Sequence, residues 1–150
     1  MLTRPKLPLA GIVGTLIAIL SMVTAPAAGA RVLRVGTYHG VSGQYKSIQA
    51  AVDAAKPGDW ILVAPGDYKT SASSAPKGAP DSPAGILITK PRIHLRGMNR
   101  NTVIVDGTKP GSPRCSRSEA AQNFGPKAKK GTLGLNGIMV LKADNVSVQT

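Results

Sequence analysis

The sequence predicts an all-β chain, a parallel β-helix (solenoid) with a short N-terminal capping helix. Three observations predict it. Strand candidates of three or four residues are separated by single Gly, Pro or Asp corners. One short segment has the apolar period of a helix. Two stretches near the C-terminus repeat each other: Gly85-Ile86-Leu87-Ile88 aligns with Gly137-Ile138-Met139-Val140, and Ile93-His94-Leu95 with Val146-Ser147-Val148. Repetition at the scale of one rung is the mark of a stacked architecture, because a single rung cannot bury its own apolar face.

The first thirty residues read as an address. Arg4 and Lys6 precede an uncharged apolar run from Leu9 to Val23, and Ala28 and Ala30 supply a small-residue cleavage site. This is the three-part pattern of a secretory signal peptide, with cleavage after Ala30. The run is short of the roughly 20 apolar residues that a spanning helix needs, which weighs against an uncleaved membrane anchor. The predicted organisation is residues 1–30 as signal peptide and 31–150 as β-helix domain.

The elements then follow in order. Val32-Leu33-Arg34-Val35 is a strand ending at Gly36. After a Gly-rich stretch, Ser47 is placed to cap a helix whose Ile48, Ala51, Val52 and Ala55 form one apolar face. Lys56 complements the dipole at its end and Pro57-Gly58 stops it. Trp60-Ile61-Leu62-Val63 is the next strand, closed by Pro65-Gly66. Lys69 to Ala84, rich in Ser, Ala, Pro and Gly, reads as an exposed loop. Ile86-Leu87-Ile88, Ile93-His94-Leu95 and Val103-Ile104-Val105 are three strands in close succession. Asp106 to Leu135 reads as an insertion at one corner, after which the repeat resumes. Parallel strands of successive rungs would stack about 4.8 Å apart, with Ile, Leu and Val inside. A β-sandwich is the competing architecture, but it calls for hairpin turns at regular spacing.

Composition bounds function. The chain has 150 residues, 19 Lys and Arg against 7 Asp and Glu, and a net charge of +12. Loss of the leader removes Arg4 and Lys6 and leaves a net charge of +10. Only five residues are aromatic, which argues against a stacking-based single-strand nucleic-acid binder. Outside a cell, a basic protein meets acidic polysaccharides, anionic wall polymers and membrane surfaces. Charge alone fits either a polysaccharide or anionic cell-wall polymer as partner or mere solubility; no nucleic acid and no stable membrane span after signal cleavage are expected. Phosphate-cradling and dinucleotide fingerprints are absent from the sequence.

Tyr45 to Asp59, followed by Ile61-Leu62-Val63-Ala64-Pro65-Gly66-Asp67-Tyr68, resembles the N-terminal signature of the pectin lyase-like right-handed parallel β-helix superfamily: a short helix, a Pro-Gly-Asp turn, a hydrophobic strand and a Pro-Gly-x-Tyr corner. Ile86 to Gly97, Thr102 to Gly107 and Asn136 to Val148 resemble its rungs. The resemblance implies a right-handed solenoid and a secreted protein that binds or acts on an extracellular, acidic polysaccharide. If an enzyme, it would be a polysaccharide lyase, a pectinesterase or a glycoside hydrolase, with calcium as cofactor in the lyase case. A non-catalytic surface, scaffold or adhesion protein is the alternative. The lyases' catalytic Arg and calcium-binding Asp cluster has no counterpart here, nor has the esterases' Asp-Phe-Ile-Phe-Gly-like stretch, so no catalytic residue is carried over. Val146 to Thr150 stops at a strand without a cap, so the sequence predicts the N-terminal part of a longer solenoid with catalytic residues beyond Thr150.

Within this chain the candidate binding residues lie in the insertion. Thr108 to Leu135 holds Lys109, Arg114, Arg117, Lys127, Lys129 and Lys130 against Glu119 alone. Arg114, Arg117, Lys127, Lys129 and Lys130 could hold uronate carboxylates, or could only solvate a mobile loop. Cys115 is the single cysteine, and a disulfide to a residue outside this chain is expected of it. His39 and His94 have no partner at metal-ligand spacing, and alternation with Ile93 and Leu95 turns His94 outward. Asp59, Asp106 and Asp144-Asn145 sit at corners, where these residues favour turns.

Overall fold

Alternating burial explains the first strand: in β1 (Val32–Val35), Leu33 and Val35 are buried while Val32 and Arg34 face out. The same period runs through β4 (Trp60–Val63) and β7 (His94–Gly97). In this computed structural model, residues 29–70, 82–123, 125–127, 129–132 and 134–150 are described. The predicted signal peptide therefore lies almost wholly outside the described residues, as does most of the predicted 69–84 loop.

β1, β4, β7 and β10 (Ser147–Gln149) form one four-stranded sheet in that order, all parallel. β5 (Gly66–Lys69) pairs with β8 (Val103–Asp106), and β6 (Ala84–Ile88) with β9 (Asn136–Val140), again in parallel. β2 (Thr37–Tyr38) and β3 (Val41–Ser42) form an antiparallel hairpin. Two helices complete the described chain, α1 (Ile48–Ala54) and α2 (Glu119–Gln122).

This corrects the predicted fold class. Among the described residues, short strands in small parallel and antiparallel sheets, with about 10% helix, stand in place of the all-β right-handed parallel β-helix. The reason lies in what repetition can specify. The register inferred from the repeat is present, with Ile86 beside Ile138 and His94 beside Ser147. Arg92 and Asn145, two residues before those strands, both adopt left-handed φ values of 56° and 55°. A register says which strands lie side by side. It does not say how many sheets they make or what the intervening residues do. Here those residues form a hairpin at 37–42 and a helical turn at 119–122, and the described strands pair in separate sheets of two to four.

The hairpin arises from local chemistry. His39 and Gly40, between paired Tyr38 and Val41, both have positive φ, 48° and 77°. This is the two-residue turn whose twist matches that of its strands. Its base is held by Gly43 N–H donating to Gly36 O (2.6 Å) and Gly36 N–H donating to Tyr45 O (2.9 Å). Gly36 itself has φ 76°, and a Cβ there would collide with the Tyr68 hydroxyl.

One hydrophobic cluster joins α1 to the strands: Leu33, Val35, Ile61, Val63, Ile86, Ile88, Ile93 and Leu95 with Ile48, Ala51, Val52 and Ala55. Ser47 caps α1 as predicted, its hydroxyl accepting from Ala50 N–H at 3.2 Å. The other end departs from expectation. The helix stops at Ala54 with no basic residue in its last turn. Lys90, distant in sequence, reaches the exposed carbonyls instead, donating to Val52 O, Asp53 O and Ala55 O. A cation satisfies orphan carbonyls and opposes the dipole whatever its place in the chain. Gln49 extends the helix toward β6, its Oε1 accepting from Leu87 N–H (2.7 Å) and its Nε2 donating to Leu87 O (3.2 Å).

Candidate functional site

The outer face of the four-stranded sheet carries two rows of side chains, fixed by strand register. Val32, Trp60, His94 and Ser147 make one row; Arg34, Leu62, Arg96 and Gln149 make the other. Both rows face away from the core because Leu33, Ile61 and Leu95, between them, point into it.

The first row contains an aromatic pair. The Trp60 and His94 rings stack with centroids 4.6 Å apart and an interplanar angle of 19°. His94 Nδ1 and Ser147 Oγ share a hydrogen bond of 2.8 Å, which orients the imidazole from the other side. In the second row, Arg34 and Arg96 are exposed and flank Leu62. They lie two strand spacings apart, about 9–10 Å between backbones. Arg34 and Leu62 also line an open, mainly apolar pocket of about 290 Å³ between the sheet and the hairpin, with Tyr38, His39 and Met98. Tyr38 and His39 meet edge to face at 4.2 Å. Sheet face and pocket are thus one continuous surface with an aromatic pair, two guanidiniums and a concave end.

The predicted basic loop lies elsewhere in the chain. Arg114, Arg117, Lys127, Lys129 and Lys130 are all exposed. A bridge between Lys127 and Thr132 brackets Lys129 and Lys130 in one turn, and no common partner joins the five among the described residues. The loop's root is well held. Asp106 is 3% exposed and its carboxylate accepts from Lys69 Nζ (2.6 Å), Thr108 N–H (2.8 Å) and Cys115 N–H (2.7 Å). Lys69 also donates to Thr108 Oγ1 at 2.7 Å. Although burial alone would raise it, these donors hold the Asp106 carboxyl well below the usual carboxylate range. The corner aspartate is therefore a buried ionic anchor for the chain that bears Arg114 and Cys115. Cys115 is exposed, with φ 50°.

Asp59 is a second anchor. Its carboxylate accepts from the Arg31 amide (3.0 Å), from Arg31 Nε (3.1 Å) and Nη2, and from Lys56 N–H (2.7 Å). The Arg31 guanidinium chiefly lowers its pKa, to about 2. Among the described residues no group of three or more His, Cys, Asp or Glu comes together to hold a metal ion, so no residue is assigned to calcium. No described helix is long and apolar enough to cross a membrane.

Alternation within the strand turns His94 outward as predicted, but its stacking partner Trp60 and the neighbouring row with Arg34 and Arg96 were not singled out from the sequence. Alternation within each strand was a usable signal, since Trp60 and Leu62 oppose Ile61 and Val63. What it lacked was the register between strands separated by long loops. No protein-family model, curated protein or solved structure matches the chain.

Proposed function

We propose that this is a secreted protein that binds an acidic extracellular polysaccharide across the outer face of the four-stranded sheet. The observation that carries the reading is the stacked Trp60–His94 pair set beside Arg34 and Arg96. The apolar C–H faces of a sugar ring pack against aromatic side chains, and a guanidinium grips a uronate carboxylate through two parallel hydrogen bonds. Their arrangement in rows across a sheet suits an extended polymer rather than a single small molecule. The net positive charge would draw such a polymer in and speed encounter, and the exposed loop lysines add to that field without a defined geometry.

The test is binding to polygalacturonate, with an uncharged polysaccharide as control, by calorimetry at low and moderate salt. Trp60→Ala and Arg96→Gln should each weaken polyuronate binding about tenfold, the cost of roughly one charge-assisted or stacking contact. A triple Lys127, Lys129 and Lys130→Gln variant should change it only a few-fold and mainly at low salt. Binding that is lost in the triple variant and kept in Trp60→Ala would move the site to the loop. Absence of binding to every polyuronate would remove the reading and leave a surface or adhesion role.

A further inference from the structure

The predicted leader cleavage and the Asp59 anchor meet at one atom. Arg31 N, the nitrogen of the bond that follows Ala30, lies 3.0 Å from Asp59 Oδ1. We propose that cleavage between Ala30 and Arg31 creates an α-ammonium that stays on the Asp59 carboxylate, so that removal of the leader locks the N-terminus into the fold. The inference rests on the leader reading above and goes beyond it, since a leader needs no receptor for the end it leaves behind.

The chemistry is hydrolysis of one peptide bond. Water adds across it, Ala30 leaves as a carboxylate, and Arg31 keeps the nitrogen, which takes up a proton to become an ammonium. The receiving site is already built. Asp59 is 2% exposed, yet Gly29 and Ala30 are exposed. The acceptor is thus enclosed while the scissile bond lies at the surface. Arg31 is positioned by its own carbonyl, which accepts from Trp60 N–H at 2.8 Å, and by its guanidinium on the same carboxylate. The nitrogen need not move on cleavage. A neutral amide donor becomes a charged one, and charge-assisted hydrogen bonds are roughly twice as strong as neutral ones. The ammonium's other two protons face the side vacated by Ala30, where water can take them.

The experiment compares the chain beginning at Arg31, which retains every described strand and helix, in two forms: free amine and N-acetylated. The free form should melt about 4 °C higher, as expected for one added charged contact in a domain of this size. The difference should disappear in Asp59→Asn. If that variant does not fold, a free-amine chain beginning at Ala30, whose ammonium is displaced by one residue, serves instead and should melt with the acetylated form. Equal melting of the free and acetylated forms overturns the proposal, as does a difference that persists without the Asp59 carboxylate. N-terminal sequencing of the exported protein tests the leader separately: a start other than Arg31 defeats the cleavage premise, whatever the melting data show.

Discussion

At the scale of single residues, this protein uses buried aspartates as organisers. Asp59 and Asp106 were both readable as corner residues, and Asp does favour turns. Their larger role comes from groups far away in sequence. Asp59 collects Arg31 and Asp106 collects Lys69, and both carboxylates also satisfy backbone N–H groups that would otherwise be orphaned. The consequence is acid sensitivity of defined sign. Asp59 has its pKa lowered to about 2 from 3.8, so the unfolded chain takes up that proton first as pH falls. The stabilisation is complete above the unfolded value and is lost as pH drops through the folded one. Urea unfolding followed from about pH 5 to about pH 2 should show stability falling over this range, with a shallower fall in Asp59→Asn. An equal slope in that variant would contradict the assignment. Asp106, also lowered, keeps the slope from vanishing.

At the scale of elements, local signals succeed where the cause is local. Ser47 was legible as a cap because its hydroxyl reaches an amide three residues on. The capping of the other end was not, because the cation that serves it, Lys90, comes from another part of the chain. The β2–β3 hairpin was hidden for a different reason: its turn is His-Gly rather than the usual Asn-Gly or Asp-Gly, and its strands have two residues each. The hairpin forms one side of the pocket beside Arg34, so its turn can be tested as part of that surface. Gly40→Val places a β-branched residue at φ 77° and should cost about 1–2 kcal/mol, measured by denaturant unfolding. His39→Asn, better suited to the left-handed region, should be neutral or slightly stabilising.

At the scale of the whole molecule, one contiguous core connects α1 to strands of the four-stranded sheet and to β6. Ile61 is fully buried in β4, one of the two inner strands of that sheet. Ile61→Ala should cost about 2–5 kcal/mol, and unfolding should remain a single transition whether followed by circular dichroism or by Trp60 fluorescence, because the helix and sheet share that core. Two separated transitions would show that they fold independently. The proposed binding face also belongs to this scale, since Trp60 and Arg96 lie on different strands and become neighbours only through the parallel pairing of β4 and β7.

The sequence by itself determined the strand at 32–35, the capped helix, the strand at 60–63, the outward turn of His94 and the register of the repeated pairs, because alternation, capping and self-similarity act over a few residues or between matching copies. Only the tertiary structure decided the distribution of strands over separate sheets, the hairpin beside the pocket, the two aspartate anchors and the face on which Trp60, His94, Arg34 and Arg96 meet. Each of these depends on which distant segments lie side by side. That choice is made by the burial of a shared core and by the pairing of charges removed from water, neither of which is written in any single stretch of the chain.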